Sequence, residues 1–213
     1  SKQGYKCYYF GDSSDGAMKT GKMQVEIDGD NYTFNFGKSG SLKGTGKNGE
    51  DDKKIYNSGK LMAAGKDEKY QVIFPVSDED DVIATSGTVY GYKKYEDASV
   101  FANKVDDADD VVVLKNASDI ESVLTSTQLS QCGLSQTKLD DDKYGDLNVF
   151  LTEDANGSIT YNGATYSLGL NSDSYKLVNS TGTVSKSSAK NKDGNDVYYK
   201  LNSGKIVASF SEN

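Results

Sequence analysis

The chain has 213 residues and a formal net charge of −8, and 35% of its residues are hydrophobic. This acidic balance excludes the basic surface that nucleic acids need, so we expect no nucleic-acid partner. Histidine is absent, whereas 22 residues are glycine and 15 are tyrosine. Without histidine the chain lacks the commonest general base and the usual nucleophile pairs, so we expect neither an enzyme nor a bound cofactor.

One short pattern recurs along the chain: aromatic residues, then turn residues with a glycine, then an apolar and a basic residue. The copies read YYFGDSSDGAMKTG at 8–21, YTFNFGKSGSLKG at 32–44, IYNSGKLM at 55–62 and VYYKLNSGKIV at 197–207. Weaker copies stand at 82–89 and 177–184. A unit this short cannot bury a core alone, so its recurrence predicts stacked units and an elongated shape.

Each copy predicts one β-hairpin. Aromatic and polar residues alternate over 32–36, which is the period of a strand with one buried face. The Ser-Gly or Asp-Gly that follows favours a tight turn, because it supplies residues with positive φ. The residues predicted to begin the return strands are Met18, Leu42, Leu61, Val184 and Ile206.

The pattern changes between residues 93 and 172. We predict helices over 96–104 and 116–124, the second with Ser118 as its N-cap and Glu121 at the capping-box position. Strands are expected over 109–114, 146–152 and 158–168. This segment is either a small inserted α+β module, which we favour, or a set of degenerate hairpins with long loops.

The predicted fold class is therefore mainly β: stacked β-hairpin solenoid repeats with a small α+β or irregular insertion in the middle. The corresponding division is residues 1–92 for N-terminal hairpin repeats, 93–172 for the insertion and 173–213 for C-terminal hairpin repeats. No apolar run is long enough for a membrane span. The abrupt start suggests a piece of a longer protein, with any export signal removed or upstream.

The repeats resemble the choline-binding and cell wall-binding repeat family of Gram-positive surface proteins. The segments that carry the resemblance are YYF at 8–10 with DGAMKTG at 15–21, then IDGDNYTFNF at 27–36 and KIYNSGKL at 54–61. The resemblance covers residues 4–92 and 173–210 but not the middle. The chain departs from the family by placing Cys7 and Lys22 where the family usually has tryptophan.

The resemblance implies an extracellular, non-catalytic module that attaches a larger secreted protein to the cell wall. Its ligand would be choline on teichoic acid or a polysaccharide, bound by cation–π attraction or by ring stacking. The candidate ligand-binding side chains are the hairpin aromatics Tyr8, Tyr9, Phe10, Tyr32, Phe34, Tyr56, Tyr198 and Tyr199. The alternative is a structural spacer or adhesin segment that meets a protein partner through its middle insertion.

Two further sets of side chains are candidates for chemistry. The acidic loop of Asp106, Asp107, Asp109 and Asp110 is a weak candidate for calcium, because hard cations prefer oxygen ligands. No other metal site is expected. Cys7 and Cys132 either pair or remain free, and two cysteines do not make a disulfide framework.

Overall fold

A computed structural model describes residues 6–76, 91–94, 98–140, 143–194 and 196–213, and only the backbone at 98–100. The protein is mainly β: 44% of the described residues lie in strands and 15% in helices, and the sheets are antiparallel. The predicted class, mainly β, is confirmed at this level. The weak repeat copy at 82–89 lies outside the described residues. Within the described chain, no helix is both long and apolar enough to cross a membrane.

The strands follow one another as β1 Gly21–Ile27, β2 Asp30–Phe36, β3 Gly49–Asp51, β4 Lys54–Asn57, β5 Lys60–Leu61, β6 Tyr70–Val76, β7 Gly91–Lys94, β8 Val111–Leu114, β9 Tyr144–Glu153, β10 Ile159–Tyr161, β11 Ala164–Leu168, β12 Lys176–Asn179, β13 Lys190–Lys192, β14 Val197–Asn202 and β15 Lys205–Glu212. The helices are α1 Ala98–Asp106, α2 Ala117–Val123, α3 Ser126–Gln131 and α4 Gln136–Asp140, with a short 3₁₀ turn at Gly40–Leu42.

These strands form three sheets. The first is five-stranded, in the order β1-β2-β5-β4-β3, and the second is three-stranded, in the order β12-β6-β7. The third is seven-stranded, in the order β10-β11-β9-β15-β14-β13, and β8 pairs with β9. Because β9 pairs with β15 through Ala208 and Val149, the predicted boundary between residues 172 and 173 runs through one hydrogen-bonded sheet.

The seven-stranded sheet is covered on both faces. On one face, Phe150 and Leu201 share a core with Phe74 of β6 and Phe101 of α1. On the other face, a second core joins side chains of β9 and β15 to the short helices α2 to α4, with Cys132 buried among them. Strand β9 is therefore apolar at consecutive positions, as expected for a strand buried on both sides.

The five-stranded sheet has a much smaller core. Val25, Phe34 and Phe36 are buried there, and Cys7 and Tyr9 pack against them. A further cluster of Ile55, Ile73 and Val178 connects this sheet to the three-stranded one.

The Ser-Gly turns are confirmed in two copies. Ser58 and Gly59 connect β4 to β5 with φ of +49° and +90°, and Ser203 and Gly204 connect β14 to β15 with φ of +50° and +80°. Both dipeptides have the two positive φ angles of a type I′ hairpin. Leu61 and Ile206 accordingly lie in the return strands, as predicted.

Other local predictions are wrong. Leu42 lies in the 3₁₀ turn instead of a strand, because the chain pairs with the end of β2 only beyond that turn, where the Gly44 amide donates to the Gly37 carbonyl at 2.8 Å. Met18 precedes β1. The N-cap of α2 is Asn116, whose side chain accepts from the Asp119 amide, so Ser118 is not the cap. The predicted strand over 158–168 is two strands around a turn at Asn162 and Gly163.

Candidate functional site

The N-terminal aromatic segment owes its geometry to an extended backbone fixed at two points. The amide of Gly46 donates to the carbonyl of Cys7, and the amide of Lys19 donates to the carbonyl of Tyr9, both at 2.8 Å. Side chains of an extended segment alternate between its two faces. Cys7 and Tyr9 consequently pack against the core of the five-stranded sheet, and Tyr8 and Phe10 face solvent.

Tyr8 and Phe10 form an exposed aromatic pair. Their side chains are 42% and 52% exposed, and their ring centroids lie 6.5 Å apart with planes inclined at 31°. The hydroxyl of Tyr8 accepts a hydrogen bond of 3.3 Å from Thr45 Oγ1, which ties the ring to the loop after the 3₁₀ turn. The two neighbouring rings are thus exposed to solvent, and backbone hydrogen bonds hold the segment that carries them.

Two further apolar side chains of the N-terminal region, Met18 and Leu42, are exposed. Met18 packs on Gly44, at which a Cβ atom would stand 2.3 Å from Met18 Sδ. Leu42, two residues before Gly44, is 60% exposed. The four exposed side chains Tyr8, Phe10, Met18 and Leu42 are called the N-terminal apolar patch below. Sequence reasoning missed Met18 and Leu42 as surface residues because it placed both at the start of strands.

Three other candidate rings are half-buried. Tyr9 stacks on Phe36 with centroids 6.4 Å apart. Lys60 Nζ lies 3.6 Å from the centroid of the Tyr32 ring. Lys190 Nζ lies 4.7 Å from the centroid of the Tyr198 ring, and Lys192 Nζ lies at 5.6 Å. The chain's own ammonium groups therefore occupy a face of Tyr32 and of Tyr198, which is the position of a cationic ligand in a cation–π site.

The remaining three candidates belong to cores. Phe34 stacks on Phe36 with planes 5° apart, Tyr56 is 1% exposed, and Tyr199 lies in the core with Phe101. None of these three rings presents a face to solvent. The structure thus gathers Tyr8 and Phe10 at one surface, and it places Tyr198 and Tyr199 in the seven-stranded sheet.

Lysines in the N-terminal sheet are held by neighbouring groups. Lys22 Nζ contacts Asp52 Oδ2 at 3.1 Å, and this hydrogen bond raises the pKa of Lys22. Burial lowers the pKa of Lys60, and the nearby charge of Lys94 adds to the effect. Lys22 lies on β1, where it pairs with Asn35 of β2.

The candidate calcium loop is not assembled into a metal site. Asp106 Oδ2 contacts Lys115 Nζ at 2.8 Å, and its Oδ1 accepts from the Val113 amide at 3.3 Å. Within the described ranges, no three Asp, Glu or Cys side chains come together in a way that would hold a metal ion. Asp106 instead fixes the connection between α1 and β8.

The two cysteines are both free. Cys7 is half-buried beside the small core, and Cys132 is fully buried. Burial raises the pKa of Cys132 to about 12, so its thiol stays protonated and unreactive near neutral pH.

No protein-family model matches the chain, and neither a curated protein nor a solved structure does.

Proposed function

We propose that this chain is a non-catalytic binding module of a bacterial cell surface, which attaches a larger secreted protein to a cell-wall polymer through Tyr8 and Phe10. The observation that supports this is the exposed aromatic pair on a backbone fixed by hydrogen bonds. Aromatic rings in water are costly to expose, and adjacent exposed rings are characteristic of binding surfaces.

The arrangement of rings favours a polysaccharide over choline. A quaternary ammonium is best held by several ring faces that surround it. Tyr32 and Tyr198 each have a lysine ammonium over one ring face, so a cation of the chain itself already occupies that face. Tyr8 and Phe10 stand side by side with planes inclined at 31°, which suits stacking on successive sugar rings.

The wider architecture of the proposal is a hairpin stack outside the cell. Hairpins β1–β2 and β4–β5 adjoin through the pairing of Phe34 with Lys60, and the Asn35 amide donates to the Gly59 carbonyl at 2.8 Å. Residues 21–61 would thus be the repeat-like part. The stacked solenoid, the division at residues 92 and 172, and the extracellular location remain part of the proposal.

A second candidate is an adhesin or spacer segment that contacts a protein partner. It is favoured by the aliphatic members of the N-terminal apolar patch, Met18 and Leu42, because stacking on sugar does not require them. A protein interface would use all four apolar side chains.

The test is sedimentation of the purified protein with purified Gram-positive cell walls, with and without free choline. We expect binding that choline does not displace and that Tyr8→Ala/Phe10→Ala abolishes. Ile27→Ala is the matched control, since Ile27 is an exposed apolar residue at the end of β1. Binding that Leu42→Ala weakens as strongly would favour the second candidate, and no binding to walls at all would refute the first.

A further inference from the structure

A cleft lies far along the chain from the N-terminal apolar patch. It opens among α1, the junction of β8 and α2, α4 and the start of β9, and its volume is about 460 Å³. This volume falls within the range of about 300–1,000 Å³ that is usual for small-ligand pockets. Its apolar lining includes the buried Leu139 and Leu147, and its polar lining comes from α1, the β8–α2 junction and β9.

The cationic group of the cleft is already neutralised. Lys115 Nζ contacts Asp106 Oδ2 at 2.8 Å and Asn103 Oδ1 at 3.2 Å. The ammonium is thereby paired with a carboxylate from its own chain, and Asp146 adds a further negative charge to the lining. An anionic ligand would have to break the ion pair and approach a second carboxylate, so the charges disfavour phosphate and carboxylate ligands.

Several polar atoms in the cleft keep hydrogen-bonding capacity. Asn148 is 8% exposed, and its Nδ2 donates to the Asp146 carbonyl at 2.7 Å and to Ser209 Oγ at 3.4 Å. These bonds fix the amide and leave Oδ1 as an acceptor. Asn103 uses its Oδ1 for Lys115, which leaves its Nδ2 as a donor. Among the described residues, the Asp146 carboxylate accepts no hydrogen bond and forms no ion pair.

We propose that this cleft binds a short neutral saccharide. Amide donors and acceptors beside a carboxylate match the vicinal hydroxyl groups of a sugar, since each hydroxyl both donates and accepts. The apolar lining at Leu139 and Leu147 suits the C–H face of the ring. The site is separate from Tyr8 and Phe10 and does not depend on the function proposed for them.

The backbone at Asp146 makes a clean test possible. Asp146 has φ of +45°, and Asp28, in the turn between β1 and β2, has φ of +54°. Asn tolerates this region of backbone space as well as Asp does. Asp146→Asn therefore removes the carboxylate charge while preserving the fold, and Asp28→Asn is its matched control at an exposed turn far from the cleft. Asn103→Ala is the second variant, with Asn156→Ala as its control.

The measurement is a titration of the ¹⁵N-labelled full chain with maltotriose, cellotriose and tri-N-acetylchitotriose, each to about 10 mM, ten times a weak Kd of about 1 mM. At least one trisaccharide should shift the side-chain amide signals of Asn103 and Asn148. Loss of a hydrogen bond to a charged group should weaken that binding by about tenfold or more in Asp146→Asn, and not in Asp28→Asn.

Three outcomes would overturn the proposal. One is that none of the trisaccharides shifts these signals, and another is that Asp146→Asn and Asn103→Ala bind unchanged. The third is a response of Lys115 to inorganic phosphate without any response to sugar, which would assign an anion site. Tyr8→Ala/Phe10→Ala should bind the trisaccharide like the wild type, so failure at the cleft and failure of the wall-binding function are distinguishable.

Discussion

A Tyr-Tyr pair occurs in two regions of the molecule, at 8–9 and at 198–199. The outer ring is exposed in the first region and covered by lysine in the second. In each copy one tyrosine faces a core: Tyr9 stacks on Phe36, and Tyr199 is buried with Phe101. The other tyrosine faces outward. Tyr198 is covered by Lys190 and Lys192, but Tyr8 is left exposed beside Phe10. More and less exposed side chains therefore alternate in both copies, although only Tyr198 and Tyr199 lie in a strand. The side chains that neighbour the outer ring in three dimensions decide whether it is exposed or covered.

The two regions also differ in how much apolar surface they bury. The core of the five-stranded sheet contains three buried residues, whereas the seven-stranded sheet has two cores of fifteen described residues each. The favourable free energy of folding increases with the apolar surface area that is removed from water. We infer that the second region carries most of the folding free energy.

The largest expected difference between the regions concerns their cysteines. With its pKa raised to about 12 by burial, Cys132 should have only about one thiolate in ten thousand at pH 8. Native-state labelling with a thiol reagent should modify Cys7 in minutes and leave Cys132 unmodified until the chain unfolds. Labelling of a Cys7→Ser variant isolates Cys132, and rapid native-state reaction of that variant would contradict the buried core described for it.

Core truncation should separate the regions by free energy of unfolding. Phe150→Ala should cost about 4 kcal/mol, because the ring is fully buried and lies 5.5 Å from Phe101 in a large core. Phe36→Ala should cost about 2–3 kcal/mol, because its small core relaxes more easily. Denaturation followed by circular dichroism measures both, and Phe10→Ala is the surface control. A larger loss in Phe36→Ala than in Phe150→Ala would reverse the inferred division of stability.

The two type I′ turns offer a comparison at identical sequence. Gly204→Ala should cost about 1 kcal/mol, from the positive φ alone, since nothing lies within 4 Å of the added Cβ. Gly59→Ala should cost more, because its Cβ would stand 3.0 Å from Gly46 Cα and 3.3 Å from Phe34. Thermal melts of both variants measure the difference. Equal losses of stability in the two variants would contradict the close contacts of Gly59 with Gly46 and Phe34.

The smallest effect should come from uncovering Tyr198. Lys190→Gln removes the ammonium over the ring and the ion pair with Glu212 at 2.6 Å, and the loss should be about 0.5–1 kcal/mol at pH 7. The hydrogen bond from Lys190 lowers the pKa of Glu212 in the folded protein. Stability from this pair is therefore present above the unfolded-state pKa of the carboxyl group, and it is lost as the pH falls through the folded-state pKa.

The pH dependence of stability provides a second test of this prediction. Between pH 7 and pH 3 the wild type should lose more stability than Lys190→Gln does, as read from denaturant midpoints. Parallel curves for the two proteins would show that the pair contributes nothing.

Sequence reasoning succeeded where the signal is local. The Ser-Gly turns at 58–59 and 203–204 follow from a dipeptide that accepts positive φ, and the helix over 117–123 follows from its polar start and apolar spacing. The Ser-Gly at 39–40 shows the limit. The same dipeptide leads into a 3₁₀ turn there, and the chain pairs with the end of β2 only beyond it. The Gly46 amide then donates to the Cys7 carbonyl, so the path of this segment depends on residues far along the chain.

The exposure of the aromatic residues could not be predicted for the same reason. Tyr8, Tyr32, Tyr56 and Tyr198 stand in similar local patterns, and yet one is exposed, two are covered by lysine and one is buried. Lys60 and Lys190 reach the rings from neighbouring strands. Which strands become neighbours cannot be predicted from local sequence patterns. The polar cleft likewise depends on α1, α4 and β9 meeting in space.

The most direct test of the wall-binding proposal is an NMR titration of the aromatic ring signals with solubilised cell-wall polysaccharide. The account predicts that the rings of Tyr8 and Phe10 broaden or shift, while those of Tyr32 and Tyr198, beneath their lysines, stay unchanged. Shifts confined to Tyr32 and Tyr198, or an absence of any response at Tyr8 and Phe10, would contradict it.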